Sequence, residues 1–216
     1  MPALLRYTLS ETFHAQRWVA PIVSMGAIDA VVSAQTGSVL PTYAILATAL
    51  LFIGTWLTVV IVNNEDPIQQ SITETCAGSR AKVRLAKLLV GLGVSALLGL
   101  AAMLPPIFVA SGGVKVTDIL AGACAQTIAA LAAVGLGSLC SRPVMRRHAW
   151  SVLIGFLVCL GTVLAPNGVP SRQLLVLFNK TGQVALARPI LLIGLETLAL
   201  CVVAVYASLR VLSARS

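Results

Sequence analysis

The chain has 216 residues, of which 58% are hydrophobic and 10% are charged, and its mean hydropathy is +0.95. Soluble domains carry about a quarter charged residues, so this composition excludes an ordinary water-soluble fold and predicts a membrane protein. Lysine and arginine outnumber aspartate and glutamate by 15 to 7, which gives a formal net charge of +8. A basic excess of this kind suits nucleic-acid binding or membrane orientation, and the position of the charges decides between the two.

Residues 3–17 are too polar to span a membrane but have the pattern of an amphipathic helix. Apolar side chains recur every four positions, at Leu5, Leu9 and Phe13, and the polar residues lie on other faces. The pattern predicts an interfacial "elbow" helix on the cytoplasmic surface, with its cations toward lipid phosphates. The alternative is a frayed polar terminus.

Six apolar runs follow, each near the length of about 20 residues that crosses a hydrocarbon core of about 30 Å. They cover residues 18–37, 40–62, 86–110, 118–140, 149–165 and 189–209. They occupy most of the chain, so we expect an all-α fold in which residues 1–216 form a single polytopic transmembrane domain.

The basic residues lie mainly in the segments that would share one side of the membrane. With both termini inside, the cytoplasmic set is Arg6, Arg17, Arg80, Lys82, Arg84, Lys87, Arg142, Arg146, Arg147, Arg210 and Arg215, and the outer set is Lys115, Arg172, Lys180 and Arg188. The positive-inside rule then predicts cytoplasmic termini. The charge is explained by orientation, and no nucleic-acid partner is expected.

Two spans carry a face of small residues. In the first span the face consists of Gly26, Asp29, Ala30, Ser33, Thr36 and Gly37, and in the fourth of Gly122, Gln126, Ala130, Ala133 and Gly137. Small residues allow close helix approach in lipid, so we expect both faces to be buried against other helices. Packing within one subunit, a subunit interface and a transport pathway all remain open as explanations.

Two carboxylates lie inside predicted spans, Asp29 in the first and Glu196 in the sixth. An ionised group in such a position costs about 2.5–3.5 kcal/mol, so each should face a cavity or a partner, or be protonated. They have either a structural role, such as hydrogen bonds of Asp29 to Ser33 or Gln126, or a place along a polar path.

The motifs of common enzymes are absent from the sequence. There is no phosphate-binding G-x-x-x-x-G-K-[ST], no G-x-S-x-G and no H-E-x-x-H, and the five cysteines have no metal-ligand spacing. We therefore expect no catalytic residues, no metal site and no cofactor bound by this chain.

Residues 166–188 are too apolar for a free loop and too interrupted by glycine and proline for a span. This composition predicts short re-entrant helices that dip into the outer leaflet between the fifth and sixth spans.

The polar stretch 63–87 predicts a short helix between the second and third spans. Asp66 suits the N-cap, Pro67 the first helical position and Gln69 a capping box, and Gly78 suits the left-handed residue that ends a helix. The helix would run from Pro67 to Ala77, about 16 Å. It is either a docking element, with Ile68, Ile72 and Thr75 on one face, or a capped connector with no partner.

The residues after this helix resemble a known family. Cys76-Ala77-Gly78, then Ser79-Arg80 and Leu85-Ala86-Lys87-Leu88-Leu89, are similar to the region after the second span of ABC-2-type transporter permeases, which follows a cytoplasmic coupling helix. The elbow helix, the six spans and the re-entrant segment agree in outline along the whole chain. The sequence departs from the pattern where alanine replaces glycine at Ala86, and where Gln69 and Gln70 stand in a zone that is often acidic.

The resemblance implies a permease subunit of an ATP-driven exporter in a bacterial plasma membrane. Its partners would be a second permease subunit, membrane lipid and cytoplasmic ATP-binding subunits, which would hold ATP and magnesium and carry out hydrolysis. The implied coupling residues are Asp66, Pro67, Ile68, Ile72, Glu74, Gly78 and Arg80, and the candidate pathway lining is Gly26, Asp29, Ser33 and Glu196. The alternatives are a self-contained proton- or ion-coupled transporter that uses Asp29 and Glu196, and a non-transporting membrane scaffold.

Overall fold

The architecture is that of a computed structural model, which describes residues 2–34, 39–109, 114–141, 148–164, 173, 176–178 and 187–214. Throughout these residues the regular secondary structure is helical and no strand occurs. The all-α prediction is confirmed for this part of the chain.

The described helices longer than one turn are numbered α1 to α9 in chain order. They are α1 (Pro2–His14), α2 (Val19–Ser33), α3 (Val39–Val62), α4 (Pro67–Ala77), α5 (Arg80–Ala101), α6 (Leu104–Val109), α7 (Val116–Cys140), α8 (His148–Leu164) and α9 (Ala187–Ala214).

Among the described residues, four helical stretches are long and apolar enough to cross a membrane, as expected of an all-helical membrane protein. They are Val39–Val62, Arg80–Val109, Val116–Cys140 and Arg188–Val211. The second of these joins α5 and α6 across a short interruption at Ala102 and Met103. The other two predicted spans correspond to shorter apolar helices, Val19–Ser33 and Trp150–Leu164.

Helix α3 lies at the centre of the bundle. It packs against α7 along much of its length and also touches α2, α5 and α8, while α9 covers another side of α7. Tyr43, Leu46, Leu50 and Leu57 of α3 are fully buried. The peripheral helices α1 and α4 both rest on α5, so α5 connects them to the bundle.

The small-residue face of α7 is buried as predicted. Its members Gly122, Gln126, Ala130, Ala133 and Gly137 are all buried. A Cβ atom added at Gly137 would lie 2.7 Å from Cβ of Thr58, which shows how closely α7 approaches α3. The small side chains therefore serve close helix contact within one chain.

Within this chain the predicted small face of α2 is covered only in part. Asp29 and Ser33 are buried, but Gly26 and Ala30 are exposed. The buried stripe instead contains Pro21, Met25, Asp29 and Ser33, spaced by four residues. Helix α2 packs mainly against α3 and α6, so only a narrow stripe is covered. Thr36 and Gly37 lie outside the described residues.

Helix α1 forms within the predicted elbow region and packs through hydroxyl-bearing residues. Thr8 and Thr12 are buried, and their hydroxyls donate to backbone oxygens one turn earlier. Leu9 and Phe13, which the pattern placed on the apolar face, are exposed. The predicted apolar face of α1 therefore points largely away from the bundle.

A sharp corner joins α1 to α2. Gln16 has φ of +53°, a left-handed conformation that is uncommon for a residue with a side chain. The Trp18 indole N–H donates to the Phe13 carbonyl oxygen at 3.2 Å, and the two rings meet edge to face at 5.2 Å. These contacts fix the direction in which α2 leaves α1.

The predicted re-entrant segment 166–188 lies outside the described residues, except for residues 173, 176–178, 187 and 188. Of these, Phe178 is 2% exposed and belongs to the main apolar core.

Candidate functional site

Helix α4 has the predicted bounds, Pro67–Ala77. Pro67 stands in the first turn after the extended residue Asp66, where its missing N–H costs nothing. Gly78 has φ of +66°, and its N–H donates to the carbonyl oxygen of Thr75. Glycine takes this conformation without a steric penalty, so it ends the helix and turns the chain into α5.

The predicted capping box is wrong. The side chains of Asp66 and Ser79 make no capping hydrogen bonds at the starts of α4 and α5. Gln69, which would complete the box, donates instead from Nε2 to the Tyr7 hydroxyl of α1 at 2.9 Å. A contact with another helix has replaced the local one.

The outer face of α4 is apolar and uncovered. Ile68 is 72% exposed and Ile72 is 60% exposed, and Thr75 is exposed as well. Ile68 and Ile72 lie one helical turn apart, so the two side chains form one apolar face. This face of α4 is the part of the site that is free to contact another molecule.

The acidic residue of α4 is turned toward α5. Glu74 lies 3.0 Å from Nε of Arg80 and accepts a hydrogen bond from Nε2 of Gln70 at 2.8 Å. The Arg80 side chain is 54% exposed and that of Glu74 16% exposed. This ion pair braces the turn between α4 and α5, and the solvent at Arg80 makes it a weak one.

A second ion pair lies deeper and is almost completely buried. The Lys87 ammonium of α5 donates to Glu65 at 2.7 Å, and the two side chains are 3% and 0% exposed. Glu65 lies in the turn between α3 and α4, and its other oxygen accepts from the Thr73 hydroxyl of α4 at 3.3 Å. One carboxylate therefore links the end of α3 to both α4 and α5.

Helix α1 reaches the same place through its own carboxyl group. Asn64 donates to Glu11 at two oxygens, the carboxylate at 3.3 Å and the backbone carbonyl at 3.4 Å. Through these bonds Glu11 meets the turn that carries Glu65. We call the five residues that meet here the polar junction: Glu11, Asn64, Glu65, Thr73 and Lys87.

The electrostatics of the polar junction are unbalanced, with two carboxyl groups and one ammonium. Burial raises the pKa of the Glu11 carboxyl above its usual range, and the negative charge of Glu65 raises it further. Lys87 and the hydrogen bond from Asn64 act in the opposite direction but do not cancel the rise. The pKa of the Glu11 carboxyl is therefore raised overall.

One turn away from Lys87 on α5, Arg84 binds the end of α7. Arg84 is 6% exposed, and its guanidinium donates to the Ser138 carbonyl oxygen at 2.8 Å and to the Ser141 hydroxyl at 2.5 Å. A cation is well placed at a helix carboxyl end, where carbonyl groups lack helical partners. Helix α5 therefore holds the polar junction with one basic residue and α7 with another.

The predicted pathway residues lie apart from this site. The Ser33 hydroxyl donates to the Asp29 carboxylate at 2.9 Å, and both side chains are buried. Gly26 is exposed, with open space where a Cβ would stand, and Glu196 is exposed on α9. Asp29 and Glu196 stand on helices with different principal neighbours, α3 and α6 for the first and α7 for the second.

Sequence reasoning predicted α4 but missed the polar junction. Glu11 and Asn64 are 53 residues apart, and Glu65 and Lys87 are 22 apart, so no local pattern connects them. One signal was available: Glu65 and Lys87 lie at the ends of two apolar runs joined by a short helix, and such a hairpin brings its ends together.

The charged and polar groups of the site hold helices together. Its charged groups bind one another, and in the described part of the chain no three histidine, cysteine or acidic residues are grouped to hold a metal ion. The polar junction joins α1, α4 and α5 while the outer face of α4 stays open.

Comparison of the chain with family models, with curated proteins and with solved structures finds no match.

Proposed function

We propose that this chain is the membrane subunit of an ATP-driven exporter and that a separate cytoplasmic subunit hydrolyses the ATP. The observation that carries the proposal is α4, a short helix with an uncovered Ile68–Ile72 face whose opposite side is fixed to the membrane helices. The resemblance of residues 76–89 to ABC-2-type permeases agrees with this role.

The contacts of α4 suggest how a push on it would travel. Thr73 and Glu74 connect α4 to Glu65 and Arg80, and Glu65 in turn binds Lys87. Movement of α4 would therefore displace α5. Arg84 would pass the movement on to α7, because it holds the carboxyl end of that helix. In this scheme Asp66, Pro67 and Gly78 set the length of α4, and Ile68 and Ile72 meet the partner.

The proposed membrane arrangement has six crossings: α2, α3, α5 with α6, α7, α8 and α9. Both termini and α4 are cytoplasmic in this arrangement, which keeps most of the basic residues inside a bacterial plasma membrane. Helix α1 then lies at the inner surface with its exposed Leu9 and Phe13 against lipid.

A second permease subunit is part of the proposal. Glu196 is exposed about one third of the way along the apolar stretch Arg188–Val211. A carboxylate facing hydrocarbon costs about 2.5–3.5 kcal/mol, so a polar surface of a neighbouring subunit offers it a better environment. Gly26, Asp29 and Ser33 remain the candidate lining of a route near such an interface.

The test is co-purification and coupling. We expect an ATP-binding protein to co-purify with the wild-type chain, and its ATPase rate in proteoliposomes to depend on the chain. The double variant Ile68→Asp/Ile72→Asp should lose the partner, while the matched Ile68→Leu/Ile72→Leu variant should keep it. If both variants retain the partner equally, the outer face of α4 is not the coupling surface.

The second candidate is a self-contained proton- or ion-coupled transporter, which the buried Asp29–Ser33 pair favours. It predicts substrate movement by the purified chain alone under an imposed proton gradient, and loss of that movement in Asp29→Asn and Glu196→Gln. A chain that moves no substrate with or without an ATP-binding partner would instead be a membrane scaffold.

A further inference from the structure

A line of buried polar side chains follows the contact between α3, α5 and α7. Its members are Tyr43 and Thr58 of α3, Ser95 of α5 and Gln126 of α7, and all four are fully shielded from solvent. Each of the three helices therefore contributes at least one polar group to their common contact. We call these four residues the polar seam.

The polar groups in the middle of the polar seam point into the helix contact. A Cβ atom added at Gly99 of α5 would lie 3.2 Å from Oε1 of Gln126. A Cβ atom added at Gly54 of α3 would lie 3.4 Å from Oγ of Ser95. Both polar atoms thus lie against the backbone of a neighbouring helix, at a point where glycine leaves room for them.

Most members of the polar seam make no hydrogen bond with their side chains. Among the residues that the structure describes, the Gln126 amide, the Ser95 hydroxyl and the Tyr43 phenol have no partner. Thr58 differs, because its hydroxyl donates to the Gly54 carbonyl oxygen at 2.8 Å. A buried polar group without a partner costs free energy, and native folds contain few of them. Three in one helix contact indicate groups that bind a ligand when the helices stand further apart.

The polar seam is closed in this structure. A Cβ atom at Gly99 would also lie 2.6 Å from Cδ2 of Leu50, and one at Gly54 would lie 2.9 Å from Cβ of Ala133. Both distances are shorter than ordinary van der Waals contact, so the helices leave no space for a ligand beside either glycine. A ligand can reach the polar groups only if a helix moves, and α5 carries both Ser95 and Gly99.

We propose that the polar seam is a binding site and route for a small uncharged solute that donates and accepts hydrogen bonds, and that movement of α5 away from α3 and α7 opens it. The solute class follows from the lining, since phenol, hydroxyl and amide groups donate and accept hydrogen bonds. An ion would meet no opposite charge among them. The inference deepens the proposed function by giving the transporter a route within one chain, and it rests on the chain being a transporter.

The position of the polar seam on α5 connects it to α4. Glu74 of α4 pairs with Arg80 at the start of α5, and Lys87 further along α5 binds Glu65. Ser95 follows Lys87 by about two helical turns on the same helix. A displacement of α5 that begins at α4 therefore reaches the polar seam without passing through another helix.

The experiment measures how fast a cysteine in the polar seam is alkylated in the full chain in lipid nanodiscs. The five native cysteines are replaced, and Ser95→Cys is introduced as a probe of nearly the same shape. The reagents are iodoacetamide, an uncharged amide, and iodoacetate, an anion of similar size. Ala125→Cys is the buried control, since Ala125 adjoins Gln126 on α7 but belongs to the main apolar core. Ser71→Cys on α4 is the exposed control.

We expect iodoacetamide to alkylate Ser95→Cys at about 0.1–10% of its rate at Ser71→Cys, because a minor open state is populated to this extent. Ala125→Cys should react more slowly than Ser95→Cys. The preference for iodoacetamide over iodoacetate should be about a hundredfold greater at Ser95→Cys than at Ser71→Cys, because a charge is costly inside a membrane.

Gln126→Leu tests whether the amide takes part in binding. In this background Ser95→Cys should react as slowly as Ala125→Cys, because an apolar contact offers no hydrogen bond to water or to an amide. Equal rates at Ser95→Cys and Ala125→Cys in the chain that keeps Gln126 would overturn the proposal. So would an absent preference for iodoacetamide, or a rate that Gln126→Leu leaves unchanged. The assay needs no ATP-binding partner, so its failure is distinct from a failure of co-purification.

Discussion

The Lys87 ammonium of α5 lies 2.7 Å from the carboxylate of Glu65 in the turn before α4, and neither side chain is more than 3% exposed. Both charged groups are shielded from water, so the charge of each is compensated mainly by the other. The pair closes the hairpin formed by α3, α4 and α5. Its energetics can be separated from its geometry by removing one partner or both.

We expect Lys87→Met to destabilise the chain by about 3–5 kcal/mol, because it leaves Glu65 buried without its cation. The double variant Glu65→Leu/Lys87→Met should recover much of this loss, since no charge is then left unpaired. The free energy of unfolding in mixed detergent micelles measures both. A double variant that is as unstable as the single one would show that hydrogen bonds such as that from Thr73, rather than charge pairing, stabilise the hairpin.

We expect Gly78→Ala to cost about 1–2 kcal/mol, because φ of +66° is unfavourable for a residue with a Cβ. Gly78→Asn is the matched control, since asparagine tolerates the left-handed region better. Hydrogen exchange of the α4 amides should speed up in the alanine variant and change little in the asparagine variant. Equal exchange in both would mean that the tertiary contacts of α4, rather than its end, determine its stability.

Gly122→Ala should destabilise the bundle by about 1–3 kcal/mol. The new Cβ would lie 2.8 Å from Cε2 of the Tyr43 ring and still nearer to its Cδ2, and Tyr43 is fully buried. Gly26→Ala is the control, because its Cβ would enter open space in a helix, where alanine is favoured over glycine by up to about 1 kcal/mol. Thermal unfolding midpoints should therefore move in opposite directions, and a loss of stability in both variants would contradict the packing assigned to α2.

Gln126→Leu should stabilise the chain by about 1–3 kcal/mol. The nitrogen and the oxygen of the Gln126 side-chain amide are buried and have no hydrogen-bond partner among the described residues. Leucine has a similar volume, and it removes the free-energy cost of taking these two polar atoms out of water without a replacement bond. Ser95→Ala should also stabilise the chain, because it removes a hydroxyl that is buried and has no hydrogen-bond partner among the described residues. Destabilisation by Gln126→Leu would show that the amide has a partner outside the described part of the chain.

Some of this structure follows from local sequence. The bounds of α4 were predicted to the residue because Asp66-Pro67 and Gly78 each favour one backbone conformation. The buried face of α7 was predictable because its small residues repeat at helical spacing over several turns. In both cases the physical cause lies within a few residues of its effect.

Other features depend on which elements meet. The stripe of α2 that is buried passes through Met25 rather than Gly26, because α3 and α6 cover only one side of it. Gln69 bonds to Tyr7 instead of capping its own helix, and Glu11 reaches a turn more than fifty residues away. Contacts of this kind have no signature in one segment and appear only when the helices are assembled.

The burial of Glu65 and Lys87 also bears on how the chain is made. A lone lysine at the start of an apolar segment opposes its transfer from the translocon into lipid, and a lone glutamate at the end of the preceding segment does the same. If the two segments leave the translocon together, the charges are already paired and the transfer is easier. Helices α3 and α5 should therefore enter the membrane as one hairpin, with α4 outside it.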